Sequence, residues 1–304
     1  MLDICLLGTG GTQPLVNRWL TSLMVRYQGH AVLIDCGEGT QIAAQKAGMS
    51  LKPVDKILIT HLHADHISGL PGLLLTMGNM GRTESLSIIG PVGTKRVVNN
   101  LLCIARTLPF EVRVSELEGE EELMYFLDCD VRAFAVQHGM PCYGYSISLP
   151  RGGKFDAARA REHNIPLEFW KRLQKGESIA HEGNTYTPDM VLGPARRGLK
   201  LTYCTDTRPT PAIASAAAGS DLFICEGMYG EDESLPKAKE NKHMLFSEAA
   251  TLAAEAGDVK ELWLTHYSPS LPNPKSFREV ARAIFPNTHT PRDGWFKTLA
   301  FEEK

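Results

Sequence analysis

A chain of 304 residues with 43% hydrophobic and 22% charged residues has the composition of a folded globular protein, which excludes wholesale disorder and fibrous architectures. No apolar run approaches the roughly 18 residues that cross a bilayer, and a net charge of −3 gives no global signature of a polyanion-binding protein. The seven cysteines, at 5, 36, 103, 129, 142, 204 and 225, form no CxxC pair, a pattern of free thiols in a reducing compartment and not of a disulfide framework.

The opening Met1-Leu2-Asp3-Ile4-Cys5 lacks the basic lead and small-residue cleavage site of a targeting signal and reads as a first strand, so a cytoplasmic protein is expected. Strands are predicted over 2–7, 22–27 and 30–35, the last two joined by a tight turn at Gln28-Gly29. A helix from Glu38 to Ala47 stops at Gly48, strand 56–60 leads into a histidine-rich loop, and a helix follows from about Asp65 to Met77. Further strands fit 86–89, 111–117, 122–127, 130–137 and 142–148, with a helix across 92–105. Residues 150–198 break this rhythm: Pro150, Gly152-Gly153, Pro166, Gly176, Gly183, Pro188, Gly193-Pro194 and Gly198 punctuate short polar or basic pieces. They read as a loosely structured excursion of the kind that serves as a binding arm. Alternation resumes with strand 200–205, a helix near 209–217, strand 221–225, helix 245–256, strand 260–265, helix 275–284 and a closing strand in 294–301. The whole is a mixed α/β chain with no repeat and no linker that would split 1–304 into two domains. Charge is uneven along it: residues 151–200 hold ten Lys/Arg against six Asp/Glu.

The densest chemistry lies in Thr60-His61-Leu62-His63-Ala64-Asp65-His66, which sets three histidines and a carboxylate within six positions just after the apolar run Ile57-Leu58-Ile59. Nitrogen and oxygen donors without a thiolate suit a catalytic zinc site better than a closed structural one, and the same donors accept manganese, iron or cobalt. Three more candidate ligands stand just past apolar strands: His138 after 133–137, Asp206 after 201–205 and His266 after 262–265. Ligands at strand ends fit the habit of α/β folds to build sites along one rim of the sheet. Seven donors exceed what one open zinc site takes, so two metals are expected. Side-chain alternation assigns His61, His63 and His138 to one metal and Asp65, His66 and His266 to the other, with Asp206 bridging. Two-metal sites of this kind activate a water and offset charge on a phosphoryl oxygen during in-line attack.

With these ligands in place, the HxHxDH loop with His138, Asp206 and His266 resembles the metallo-β-lactamase superfamily. Gly8-Thr9-Gly10-Gly11, Asp35-Cys36-Gly37-Glu38-Gly39-Thr40-Gln41, Gly69-Leu70-Pro71-Gly72-Leu73-Leu74, Cys204-Thr205-Asp206-Thr207-Arg208-Pro209 and Leu264-Thr265-His266-Tyr267-Ser268-Pro269 resemble the ribonuclease Z family within it. The resemblance implies an αββα four-layer sandwich with an inserted flexible arm at 150–198. It implies two Zn2+ per subunit, precursor tRNA as the substrate cut at its 3′ trailer to leave a 3′-hydroxyl, a homodimer, and an arm that grips the tRNA. It further implies that Asp65 accepts a proton from the attacking water, and that His243 serves the scissile phosphate or the leaving oxygen with Glu226 orienting it. Sequence alone places His243 in an exposed loop. Asp35 has two readings: it holds a ligand histidine by its free ring N–H, or it caps the helix beginning at Glu38.

Four segments depart from the family pattern: Asn164-Ile165-Pro166-Leu167-Glu168-Phe169-Trp170 in the arm, Pro14 through Ser22 in the substrate loop, Cys225-Glu226-Gly227-Met228, and Met244-Leu245 after His243. All four concern recognition and leave the metal donors intact. Alternatives therefore stand beside the trailer-cleaving reading: a dinuclear zinc phosphodiesterase of the same fold acting on a smaller diester, a thiol-ester or lactam hydrolase on the same metals, or a non-catalytic RNA-binding or scaffold protein.

Overall fold

The computed structural model describes residues 1–105 and 107–302; Arg106, Glu303 and Lys304 of the domain expected over 1–304 lie outside the described residues. One sheet takes the first six strands, β1 (Leu2–Gly8), β2 (Ser22–Tyr27), β3 (His30–Ile34), β4 (Val54–Leu58), β5 (Leu86–Pro91) and β6 (Val112–Leu117). The second takes β7 (Glu121–Phe126), β8 (Cys129–Ala135) and β9 (Tyr143–Arg151), and a separate hairpin follows in β10 (Ile179–His181) and β11 (Asn184–Tyr186). The second sheet is completed by β12 (Arg196–Cys204), β13 (Leu222–Glu226), β14 (Leu262–Thr265) and β15 (Thr288–His289), while β16 (Trp295–Leu299) returns to pair antiparallel with β1. The orders are β16-β1-β2-β3-β4-β5-β6 and β15-β14-β13-β12-β9-β8-β7.

Period-two alternation builds the layers. In β1, Leu2, Ile4 and Leu6 enter the core between the sheets, while Cys5 and Leu7 face the helices outside. Tyr145, Leu201, Tyr203, Ile224 and Trp263 fill the same inter-sheet core from the opposite side. Over the first sheet lie α1 (Thr40–Lys46), α2 (Ala64–Ile67), α3 (Leu70–Asn79) and α4 (Thr94–Leu101), whose Ala43, Ala44, Leu70, Leu73 and Val98 pack on Leu33, Ile57 and Ile88. The inserted segment contributes α5 (Ala157–Glu162) and α6 (Leu167–Gln174). Over the second sheet lie α7 (Pro211–Ala217) and α9 (Phe246–Ala256), with α8 (Leu235–Asn241) between them in the chain and α10 (Arg278–Arg282) after. Helix, sheet, sheet and helix make the αββα sandwich.

Several elements differ from expectation. The helix expected over 65–77 is two, because Gly69 turns back to donate its N–H to the Cys36 carbonyl and Pro71 starts a fresh helix. A Cβ at Gly69 would meet the Gly37 carbonyl oxygen at 2.1 Å. The helix expected from Glu38 begins at Thr40 behind Gly39, whose φ of 84° only glycine adopts freely. The helix expected over 275–284 is a 3-10 turn followed by α10. The polar α8 shows no strong apolar period in the sequence and was not anticipated.

The largest correction concerns 150–198. The segment is folded, not loose: Ala160, Ile165, Phe169, Leu173, Ile179 and Val191 are buried in a small apolar cluster of their own. Asp156 caps α5 by accepting from the backbone N–H groups of Ala158 and Arg159. The basic excess also lies elsewhere. Between the end of β9 and the start of β12, residues 152–195 contain six Lys/Arg and six Asp/Glu. The surplus comes from Arg151, Arg196, Arg197 and Lys200, on the two strands that carry the segment.

Candidate metal centre

Every element that brings a candidate donor reaches the same rim. β4, β8, β12, β13 and β14 all run toward it, so the loops after them converge, and His61, His138, Asp206, Glu226 and His266 sit at or just past their ends. Asp206 and His266 have φ of 41° and 57°. This left-handed backbone costs a non-glycine residue on the order of 1–3 kcal/mol, and here it turns each side chain from the strand direction into the cleft.

The seven donors form two adjoining groups. In the first, His61 Nε2 lies 3.0 Å from His63 Nδ1, His138 Nε2 lies 3.3 Å from the same His63 atom, and Asp206 Oδ2 stands 3.5 Å from His61 Nε2. In the second, His66 Nε2 and His266 Nε2 are 3.2 Å apart, and Asp65 Oδ2 is 3.3 Å from His266 Nε2. Asp206 Oδ1 lies 3.2 Å from His66 Nε2 and 3.1 Å from His266 Nε2. One oxygen of Asp206 thus faces each group. Ring nitrogens and carboxylate oxygens turned on common points fit divalent metal binding, since lone pairs this close repel without a cation between them.

Backing contacts hold the rings. Asp35 is fully buried; its Oδ2 accepts from His66 Nδ1 at 2.8 Å and its Oδ1 from the Thr60 N–H at 2.8 Å. Of the two readings of Asp35 the structure therefore has the first, while the N-cap of α1 is Gly39. His138 Nδ1 donates to the Lys242 carbonyl at 3.3 Å, and Lys242 Nζ donates to the His138 carbonyl at 3.1 Å. Each bond on the far nitrogen fixes the tautomer that leaves Nε2 facing inward. Gly11 is required here, because a Cβ would meet the His266 ring at 2.6 Å. Thr12 donates its backbone N–H to Asp65 Oδ2 at 2.6 Å.

The electrostatics follow from this packing. Burial presses His61, His63 and His138 toward the neutral form that donates to a metal. Burial also opposes charge on Asp65, but the hydrogen bond from His266 and the charge of His66 prevail and hold its carboxyl well below the usual range. For Asp206 burial is again outweighed, by His266, His66 and His61.

His243 is not the exposed loop residue its sequence context suggests; its side chain is 12% exposed. The ring lies 3.1 Å from Glu226 Oε2 through Nδ1 and 5.4 Å, centroid to centroid, from His266. Burial works against protonation, yet the buried Glu226 carboxylate raises the His243 pKa to about 9. The other Glu226 oxygen accepts from the Thr207 N–H. Arg208, not anticipated as a site residue, ties the His243 carbonyl to Glu248, whose Oε2 it reaches at 2.9 Å. Its position in Thr205-Asp206-Thr207-Arg208, just past a ligand, was the available signal. The divergent Met244 and Leu245 are buried in apolar clusters.

The cleft above these residues has a volume of about 670 Å³ and is lined by Thr12, Gln13, Met228, Tyr229, Lys237 and Asn241 besides the donors. Beside the donors it presents the Lys237 ammonium and the hydroxyls of Thr12, Tyr229, Ser268 and Ser270, groups that suit a phosphate.

Comparison with known proteins agrees with this picture. The chain is 56% identical over 303 residues to ribonuclease Z of Agathobacter rectalis and 55% identical over 304 residues to that of Lachnospira eligens, with 100% of each chain covered in both cases. Among solved structures it is similar to the short form of human tRNase Z, with a TM-score of 0.71 at 24% identity over 98% of this chain and 100% of that one. It is also similar to the metallo-β-lactamase fold protein YhfI of Bacillus subtilis, with a TM-score of 0.69 at 17% identity over 97% and 98%. A family model described as anti-Pycsar protein Apyc1 matches residues 2–102, which hold the first histidine loop but neither Asp206 nor His266.

Proposed function

The chain belongs to the ribonuclease Z family, and from that premise we propose how its cleft performs tRNA 3′ processing. The protein is a metal-dependent endoribonuclease of the metallo-β-lactamase fold that cuts precursor tRNA at its 3′ trailer. The observation that carries the mechanism is Asp206, which turns one oxygen to each of two donor groups. Two Zn2+ ions are the proposed occupants: His61, His63 and His138 would hold one and Asp65, His66 and His266 the other, with Asp206 within reach of both groups. When bound, such a pair activates water near neutral pH and neutralises charge on the phosphoryl oxygens.

The chain's own residues supply the proton transfers. Asp65, oriented by the Thr12 N–H at the edge of the cleft, is the proposed acceptor of the attacking water's proton, the role that the family resemblance implies for it. As the bond from phosphorus to the 3′ oxygen of the tRNA breaks, protonated His243 gives that oxygen a proton, leaving a 3′-hydroxyl on the tRNA and a phosphate on the trailer. Glu226 keeps His243 protonated and aimed at the cleft.

The folded insertion is the proposed tRNA-binding arm, with Arg151, Arg196, Arg197 and Lys200 at its base contacting RNA phosphates. A homodimer is part of the same proposal, supported by the exposed Ile42 on α1 and Leu75 and Met80 on and just past the adjoining α3. So is a cytoplasmic location, which suits the buried thiols of Cys5, Cys36, Cys129, Cys142, Cys204 and Cys225. No helix among the described residues is long and apolar enough to cross a membrane.

The test is to incubate a trailer-bearing precursor tRNA with the protein and map the cut. Cleavage just after the discriminator base, with a 3′-hydroxyl on the tRNA, is expected, and His63→Ala should abolish it. Hydrolysis of bis(p-nitrophenyl) phosphate without trailer cleavage would instead assign the cleft to a small diester. Less than about one zinc per chain after reconstitution would favour a non-catalytic protein.

A further inference from the structure

The loop of residues 9–20 after β1 has two working faces. Thr12 and Gln13 line the metal cleft, while Val16, Asn17 and Trp19 line a second groove of about 670 Å³ on the other flank. That groove is bounded by Lys46 of α1 and by Arg292, Trp295 and Phe296 at the start of β16. The two spaces therefore share one wall, and nothing in the catalytic chemistry uses the second.

This wall is fixed. Leu15 and Arg18 exchange backbone hydrogen bonds in a tight turn. The Arg18 guanidinium donates to the carbonyls of Ser268, Leu271 and Pro272, and Asp293 accepts from the Thr9 N–H, the Thr9 hydroxyl and the Trp19 N–H. The groove's one carboxylate is thus engaged by the wall itself and does not face an incoming anion unpaired. What remains for a ligand is apolar and cationic. Val16 is 92% and Phe296 52% exposed, and the Lys46 ammonium stands 5.2 Å from the centre of the half-buried Trp19 ring.

We propose that this groove binds the single-stranded 3′ trailer as it leaves the cleft, with bases stacking on Phe296 and Trp19 and phosphates held by Lys46 and Arg292. The inference rests on the endonuclease reading, because only a polymer cut at the metal centre runs on across the loop tip into the neighbouring groove. An exposed aromatic ring and a half-buried one beside cations are the chemistry of single-strand binding, in which stacking tolerates any base. That tolerance suits a discarded segment whose sequence does not matter. Continuity with the cleft and the positive lining both favour RNA over a second protein copy.

The experiment compares one tRNA body carrying a very short trailer with the same body carrying a trailer of about ten nucleotides, a length in the range of single-strand sites. The double variant K46E/F296A changes two exposed residues outside the catalytic machinery. It should raise KM for the long trailer about tenfold, the loss of one stacked base, and leave kcat and the short-trailer KM unchanged. In metal-depleted wild-type protein, 4-thiouridine within the trailer should cross-link to the peptide containing Trp295 and Phe296. Equal effects on both trailers, or no cross-link at that peptide, would overturn the proposal. A variant that sediments as a monomer where wild type is a dimer would overturn it in favour of a second copy. If wild type cuts neither RNA, the endonuclease reading is what fails, and the cross-link still judges the groove.

Discussion

The metal cleft and the inserted arm stand at opposite ends of β12, roughly 30 Å apart at about 3.3 Å for each of its nine residues. They are held together by different physics. In the cleft, charged and polar groups are buried, and several rings are held by a partner on their far side: Asp35 for His66, the Lys242 carbonyl for His138, Glu226 for His243. In the arm, a few apolar residues suffice for a small core, and its charges balance to zero on a solvated surface. A site that must hold charge in place sits on the rigid rim of a large sheet, whereas the arm, proposed above to meet RNA, is small and polar. Changes to the cleft should therefore appear in kcat, and changes around the arm in KM.

The largest expected effect tests the cleft directly. His63→Ala removes the ring nitrogen that both His61 and His138 approach, and should abolish trailer cleavage and lower bound metal, read by elemental analysis. Next, His243→Ala should lower kcat by roughly 10²–10⁴-fold, the usual worth of a general acid, with metal content intact. Glu226→Gln should shift the alkaline limb of the rate profile to lower pH. The sign follows because the carboxylate raises the His243 pKa to about 9, so its loss makes the ring release its proton sooner. A smaller effect, about 10- to 100-fold in metal affinity or activity, is expected of Asp35→Asn, measured by competition with a chelator. The smallest tests the other side: R196E/R197E at the base of the arm should raise KM several-fold, leave kcat unchanged and flatten the dependence of binding on salt. A kcat effect from that variant, or a pure KM effect from His243→Ala, would break the contrast.

The two regions also differed in how far the sequence revealed them. The donors were readable because His61 to His66 are adjacent and the other three follow plain apolar strands, so local periodicity carried the information. The arm was misread because glycines and prolines mask its short helices, and its core of six buried residues is too sparse to register as a pattern. Its apparent basic surplus was an effect of counting across a strand boundary that only the structure places. His243 was unreadable for another reason: its burial depends on Glu226 and Arg208, both distant in sequence, and no local window contains that contact. The split between α2 and α3 likewise depends on Cys36, more than thirty residues upstream.

Asp293 links the substrate loop to a segment 284 residues later in the chain, accepting from both polar groups of Thr9 as well as from Trp19. During synthesis every proposed metal donor, His266 included, emerges before this carboxylate does. A nascent chain can thus gather its ligands while the loop carrying Thr12, which steadies Asp65, is still unanchored. Translation order itself makes the nuclease one of the last properties the growing polypeptide acquires, so a fragment truncated before residue 293, which lacks β16 of the first sheet as well as this anchor, should leave precursor RNA uncut.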